Sequence, residues 1–257
     1  MNGAHTTQSH SYSNIAVFSD GTGNSSATLF RTNVWRLYQA VDLHDPQKPP
    51  QPRQFAYYDD GVGTSPFKPL ALLGGAIGLG LGRNVRDLYA FVCRTYRHGK
   101  VCPTPQDLED ALGAGEKPAD RIYAFGFSRG AFTIRVLTGL ILTEGIVPYD
   151  GDEAALQRHV AAAYRSYRAK RYGNGRPIVR LVRGARDAIL AVRDRWFGYK
   201  PYRHLRKIGS PEEAESERVR VEFVGVWDTV AAYGLPVDEL TRAVDRLSGP
   251  FRCQTGT

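Results

Sequence analysis

The chain has 257 residues, of which 42% are apolar and 23% charged, with a formal net charge of +8; this is enough to bury one sizeable core and makes disorder a local matter. Its three cysteines, Cys93, Cys102 and Cys253, form no CxxC pair, which argues against a disulfide framework or a zinc knuckle and fits synthesis in a reducing cytoplasm. The first residues, MNGAHTTQSHSYSN, lack a basic region followed by an apolar core and do not read as a signal peptide; the longest apolar run, Pro69 to Gly82, is shorter than the roughly 20 residues of a transmembrane span.

Residues 1–12 read as a flexible arm and 13–257 as a single domain. Ile15 to Phe18 is a strand candidate that stops at the glycine-rich turn Ser19-Asp20-Gly21-Thr22-Gly23-Asn24. A helix over Asn33 to Val41 follows, with Thr32 placed to cap it. Four prolines make His44 to Arg53 a loop, and Gln54 to Tyr58 is a second strand ending at Asp59-Asp60-Gly61. The run Pro69 to Gly82 is expected to be a buried or interfacial glycine-rich connection, with a helix from Arg83 to Tyr96 after it. Cys102 to Glu116 connects onward, with a short helix starting after Pro105. Arg121 to Phe125 is a continuous strand that runs into Gly126-Phe127-Ser128-Arg129-Gly130, and Ala131 to Leu142 is a helix apolar on nearly all sides, ended by Gly145. Further helices are expected over Asp152 to Lys170, Val179 to Phe197 and Val237 to Leu247, with an acidic loop at Pro211 to Glu217 and a strand from Val219 to Val226 that ends at Trp227-Asp228-Thr229. Strand, polar turn, helix is the recurring order. It predicts an α/β fold, a mostly parallel central sheet flanked by helices and α/β-hydrolase-like, with sites at the carboxyl ends of strands.

Ser128 carries the sharpest signal. A GxSxG pattern is weak alone, but here an apolar strand leads in and an apolar helix leads out, the arrangement that a nucleophile elbow needs. The competing reading is a serine that only caps the helix. The Arg129 N–H is placed to form half of an oxyanion hole, while its side chain has two open roles, pairing with a core-edge carboxylate or facing a substrate phosphate. Asp20, Gly21 and Thr22 supply the other side of the site, Asp20 either orienting that loop or serving as a turn residue. Asp228, about 100 residues beyond the serine, is placed as the acid that would orient a histidine, against a turn or capping role. All six histidines precede it. The reading calls for no cofactor and no metal.

Charge is uneven: Arg158 to Lys207 holds 15 basic residues against Asp187 and Asp194, or +13, leaving −5 elsewhere. Residues 152–210 are therefore expected to form a basic helical insertion or lid, with the helix from Val179 to Phe197 near the site mouth and residues 158–207 facing an anionic phospholipid surface. No motif for specific nucleic-acid reading is present.

Four segments, Phe18-Ser19-Asp20-Gly21-Thr22-Gly23-Asn24, Arg83-Asn84-Val85-Arg86-Asp87, Gly126-Phe127-Ser128-Arg129-Gly130-Ala131-Phe132 and Gly225-Val226-Trp227-Asp228-Thr229-Val230, resemble the uncharacterised α/β-hydrolase family DUF2235, which includes the catalytic domains of type VI secretion phospholipase effectors. The resemblance implies Ser128 as nucleophile of a phospholipase-like esterase, Asp228 as triad acid, Asp20 and its glycines on the oxyanion side, and delivery to a target cell with secretion or immunity partners. It also implies further core elements and a histidine after Asp228; the chain stops at Thr257 without them, so a C-terminally truncated member with impaired catalysis is expected. Two other classes compete. Asp20, Asp59, Asp60 and Asp228 all follow strands and fit a metal-dependent phosphoesterase, and the basic region fits a non-catalytic binder of anionic membranes.

Overall fold

The computed structural model describes residues 12–21, 31–41, 52–60, 76–172, 177–199, 202 and 219–230. The expected arm over 1–12 lies outside these residues except for Tyr12, as do the loop from 44 to 51, the acidic loop at 211–217 and the helix expected at 237–247.

Strands β1 (Ser13–Ser19), β2 (Arg53–Asp59), β3 (Arg121–Phe127) and β4 (Val221–Trp227) form one sheet in the order β2-β1-β3-β4. Every pairing is parallel. From β1 the chain goes outward to β2, then recrosses to β3, so the order switches between β1 and β3, the place where ligand crevices form in open parallel sheets.

Helices α1 (Asn33–Gln39), α2 (Ala76–Thr95), α3 (Pro105–Gly113), α4 (Arg129–Glu144), α5 (Glu153–Tyr172) and α6 (Pro177–Trp196) complete the described elements. Period-two alternation divides β1 between two layers. Ile15 and Val17 are fully buried in the cluster built with Leu81, Val85, Leu137 and Val160 of α2, α4 and α5. Phe18 faces the other way, 5.0 Å from Phe125 and 5.6 Å from Tyr38 of α1. Each fully buried Ile, Leu or Val contributes about 1.5–3 kcal/mol, so the α2–α4–α5 layer is the main source of stability.

Two expectations need correction. The glycine-rich run is not a connection from residue 76 onward, because Ala76 begins α2. At Gly82 a Cβ would meet the Tyr164 ring of α5 at 3.4 Å, an ordinary van der Waals contact, so α5 packs on α2 here without needing a glycine. Nor is 152–210 one peripheral insertion or lid. Leu156, Val160, Ala163 and Tyr167 recur at helical spacing and are buried, which builds α5 into the core. Within that segment it is α6 that stands off, lying against none of the other helices or strands among the described residues.

The strand-start edge is closed by Asp120. Its carboxylate accepts from the Ser13 N–H at 2.6 Å and the Arg97 N–H at 2.9 Å, joining the starts of β1 and β3 to the end of α2. At the same edge Arg94 grips Glu153, at 2.9 and 2.5 Å. The opposite edge, where the strands end, is left to the polar turns.

Candidate active site

β3 ends at Phe127 and α4 starts at Arg129, so Ser128 turns the chain alone. Its backbone has φ 55° and ψ −119°, a conformation that a residue with a Cβ avoids and that costs of order 1–3 kcal/mol. Neighbouring backbone holds it there. The Ser128 N–H donates to the Trp227 carbonyl at 2.9 Å, and the Ser128 carbonyl accepts from the Val230 N–H at 3.2 Å. The turn after β4 is thereby sewn to the elbow. Phe127 pairs with Trp227 in register, so Ser128 and Asp228 are each one residue past a paired position on adjacent strands. Asp228 also has a positive φ, 44°.

The glycines on either side are sterically required. A Cβ on Gly126 would lie 2.7 Å from the Ala131 Cα, and one on Gly130 would lie 2.6 Å from the Asp20 carbonyl oxygen and nearer still to that of Ser19. The elbow therefore rests directly on the end of β1. Ser128 makes no side-chain capping bond, so the capping role does not hold, and its hydroxyl is left for other chemistry.

Asp20 is the organiser of the turn after β1. It is 1% exposed, and its carboxylate accepts from the Gly21 N–H at 2.7 Å, the Tyr58 hydroxyl at 2.7 Å and the Thr32 hydroxyl. Its own N–H donates to the Asp59 carbonyl at 3.0 Å. Burial first, and the bond to Asp20 second, push the Tyr58 phenol well above its ordinary pKa, so it stays a proton donor at any working pH. The Tyr58 ring is braced 4.9 Å from Trp35 and 5.2 Å from Tyr38. Asp59, ending β2, accepts from the Ser19 hydroxyl at 2.8 Å and from the Asn84 amide at 2.8 and 2.9 Å.

Arg129 is the first residue of α4. Burial lowers its guanidinium pKa, and among the described residues no carboxylate pairs with it. Of the two roles open to that side chain from the sequence, the core-edge ion pair is not formed among the described residues. Its backbone N–H, at the first turn of a helix, has no intrahelical acceptor.

Five of the six expected site residues lie together where the strands end: Asp20 and Gly21 after β1, Ser128 and Arg129 after β3, and Asp228 after β4. Thr22 falls outside the described residues. The strand-end carboxylates do not converge on one point: among the described residues no group of three or more His, Cys, Asp or Glu is placed to hold a metal. Asp20 and Asp59 are instead surrounded by donors, which a cation would have to displace. Of the described histidines, His98 follows α2 at the strand-start edge, its ring 5.1 Å from Tyr96, and His159 sits in the first half of α5. Neither is at the Ser128 edge. A cavity lined by Tyr96, Cys102, Leu108, Arg121 and Glu222 is also at the wrong end of the sheet for this chemistry.

Sequence reasoning missed Tyr58 and Asn84, and it gave Thr32 only its capping role. Thr32 does accept from the Trp35 N–H at 3.1 Å, while its own hydroxyl turns to Asp20. Partners 12, 38 and 25 residues apart leave no local spacing to read.

The expected position of the 179–197 helix at the site mouth is not supported by its carboxyl end. The Arg158 guanidinium lies 4.0 Å over the Tyr199 ring, and the Tyr202 hydroxyl donates to the Glu144 carbonyl at 3.3 Å. α4 runs about 24 Å from the elbow to Glu144. The chain after α6 is thus anchored toward the strand-start edge.

The family model "T6SS, Phospholipase effector Tle1-like, catalytic domain" matches residues 13–254. The chain is also similar to the "Uncharacterized protein YEL023C" of Saccharomyces cerevisiae, 30% identical over 167 residues, which is 64% of this chain and 22% of that protein. The chain thus spans about a fifth of the length of that relative. No solved structure matches it.

Proposed function

Because the chain belongs to the family of T6SS Tle1-like phospholipase effector catalytic domains, we propose that it is a serine-dependent carboxylic ester hydrolase of phospholipids. The observation that carries this reading is the strained backbone of Ser128, held between two hydrogen bonds to the turn of Asp228. Strain at a non-glycine residue persists where the surroundings enforce it, and here they enforce it at the one serine of a GxSxG turn.

In the proposed reaction Ser128 Oγ bonds to the ester carbonyl carbon as its proton passes to a general base. The tetrahedral oxyanion is met by the Arg129 N–H and by N–H groups of the turn that Asp20 organises. The carbon–oxygen ester bond then breaks, and the base returns its proton to the leaving alcohol. Water attacks the acyl-enzyme by the same route in reverse, regenerating Ser128. Asp228 orients the base. That base comes from outside the described residues, since neither His98 nor His159 stands at this edge. The Arg129 guanidinium, without a carboxylate partner among the described residues, faces the phosphate of the lipid headgroup. Delivery to a target cell, with a secretion or immunity partner, follows from the family and is part of the same proposal. No helix of the described residues is long and apolar enough to cross a membrane.

The test is release of fatty acid from mixed anionic phospholipid vesicles by the 257-residue chain and its Ser128→Ala variant, with and without a chelator. Release that disappears in the variant and survives the chelator supports the reading. Release that survives Ser128→Ala but not the chelator would replace it with a metal-dependent phosphoesterase at the strand-end aspartates.

A further inference from the structure

α6 is amphipathic in sequence and unpartnered in space. Leu181, Ala185, Ala188, Ile189, Val192 and Trp196 recur three or four residues apart and form one stripe. Asp187 and Asp194, seven apart, occupy the far side, so the two acids of the helix are kept away from the stripe. Positions 186 and 193 border the stripe on one side and 195 on the other, and all three are arginine.

The stripe is open. Ile189 is 69% exposed, Val192 66%, Trp196 82% and, just past the helix, Phe197 62%. Three large apolar side chains aligned over two turns, with Phe197 exposed just beyond them, amount to a patch of the kind that marks an interaction surface rather than scattered surface residues. The exposed guanidiniums of Arg193 and Arg195 stand beside them, Arg193 turned back to Asp194 at 2.9 Å. An exposed pair of that kind is worth little and opens readily to a competing anion.

We propose that this face of α6 docks the protein, lying in the interfacial plane, onto an anionic phospholipid bilayer. Charge complementarity selects that occupant: the region from 158 to 207 carries +13, and its only acids lie on the far side of α6. The geometry is that of an interfacial helix, with apolar bulk in the acyl boundary, Trp and Phe at the headgroup level and arginines reaching phosphates on both flanks. The helix is tethered through the contacts of Tyr199 and Tyr202 to α5 and α4, so whatever α6 holds, the domain is held with it. This docking requires no hydrolysis, and it stands or falls apart from the reaction proposed for Ser128.

Flotation of the 257-residue chain with vesicles tests it, using phosphatidylcholine alone and phosphatidylcholine mixed equally with phosphatidylglycerol. The chain is expected to float with the mixed vesicles and not with phosphatidylcholine, and less so as salt is raised. Trp196→Ser with Phe197→Ser, and separately Arg193→Glu with Arg195→Glu, should each weaken partitioning about tenfold or more while the melting temperature stays that of the parent. Equal binding to both vesicle types, no binding to either, or binding indifferent to the variants overturns the proposal. So does a fall in melting temperature of the Trp196–Phe197 variant, which would mean that the chain itself covers this face. Loss of fatty-acid release with flotation intact would count against the hydrolase reading and leave the docking standing.

Discussion

Gly130→Ala is the most direct challenge to the way the elbow is built. The added Cβ would lie 2.6 Å from the Asp20 carbonyl oxygen and closer to that of Ser19, where a carbon and a carbonyl oxygen need roughly 3.3 Å. Both obstacles are backbone, so no rotamer change relieves them. β1 cannot slide either, because it is paired along its length with β2 on one side and β3 on the other. The elbow and the end of β1 must separate by about an ångström, which loosens the packing of α4 on β1. Overpacking in such a site costs about 1–3 kcal/mol, and the rigidity of these neighbours puts the expected loss near 3, roughly a 150-fold shift in the folding equilibrium. Urea unfolding followed by tryptophan fluorescence should show a lower midpoint with an unchanged slope. Gly184→Ala is the internal control, since a Cβ there meets nothing within 4 Å and the position is interior to α6. It should gain up to about 1 kcal/mol from helix propensity. A Gly130→Ala chain that unfolds at the parent's midpoint would refute the contact between the elbow and β1.

Ser128→Gly should raise the urea midpoint by an amount equivalent to about 1 kcal/mol, because glycine accepts φ 55° without strain, whereas Ser128→Ala should not; equal effects would mean the serine backbone is unstrained. Asp20→Ala leaves the Gly21 N–H and the Thr32 and Tyr58 hydroxyls facing an empty site, for an expected loss of about 2–4 kcal/mol, while Tyr58→Phe, which removes one bond, should cost about 1. The order of these two losses, read from the same unfolding curves, is the check. Glu153, bonded to Arg94 and to Gln157, has its carboxyl pKa lowered from 4.5 to about 2. A depressed folded-state pKa stabilises the protein above about 4.5 and ceases to do so as pH falls toward about 2. Melting temperature should therefore decline across that window, and Glu153→Gln should flatten part of the decline.

The four described strands and six helices were legible because each has an unambiguous local pattern. After Arg121 the run to Phe125 is continuously apolar and leads straight into a glycine turn, and α5 repeats its apolar residues every three or four positions. Ser128 was legible for a similar reason, as its flanking glycines and its place between strand and helix are all within five residues. The start of α2 was misread because glycines at 78, 80 and 82 weaken helix propensity. A different limit hid Tyr58 and Asn84. A buried carboxylate is visible as a residue, but the donors that satisfy it belong to the fold. The basic segment divided for a related reason: charge density marks a surface, yet Leu156, Val160 and Ala163 decide that α5 belongs to the core while α6 does not.

The strand-end carboxylates separate into two kinds, and the separation argues for what the edge does. Asp20 and Asp59 are bound on both oxygens by neutral donors: a backbone N–H, hydroxyls and an amide. Such carboxylates build loops, since each bond that fixes the acid also fixes the segment that donates it. Asp20 joins the turn after β1 to the start of α1 and the end of β2, and Asp59 joins β2 to α2. At β3 and β4 the economy is reversed: Ser128 and Asp228 both carry positive φ, backbone hydrogen bonds from Ser128 to Trp227 and from Val230 to Ser128 join their two turns, and among the described residues neither side chain makes a hydrogen bond that ties down its turn. A side chain that does not hold its own loop in place can change partners during a reaction without loosening the fold. One half of the edge is therefore committed to rigidity, while the other half carries a hydroxyl and a carboxylate on a rigid backbone, a division of labour that suits the acyl transfer proposed for this edge.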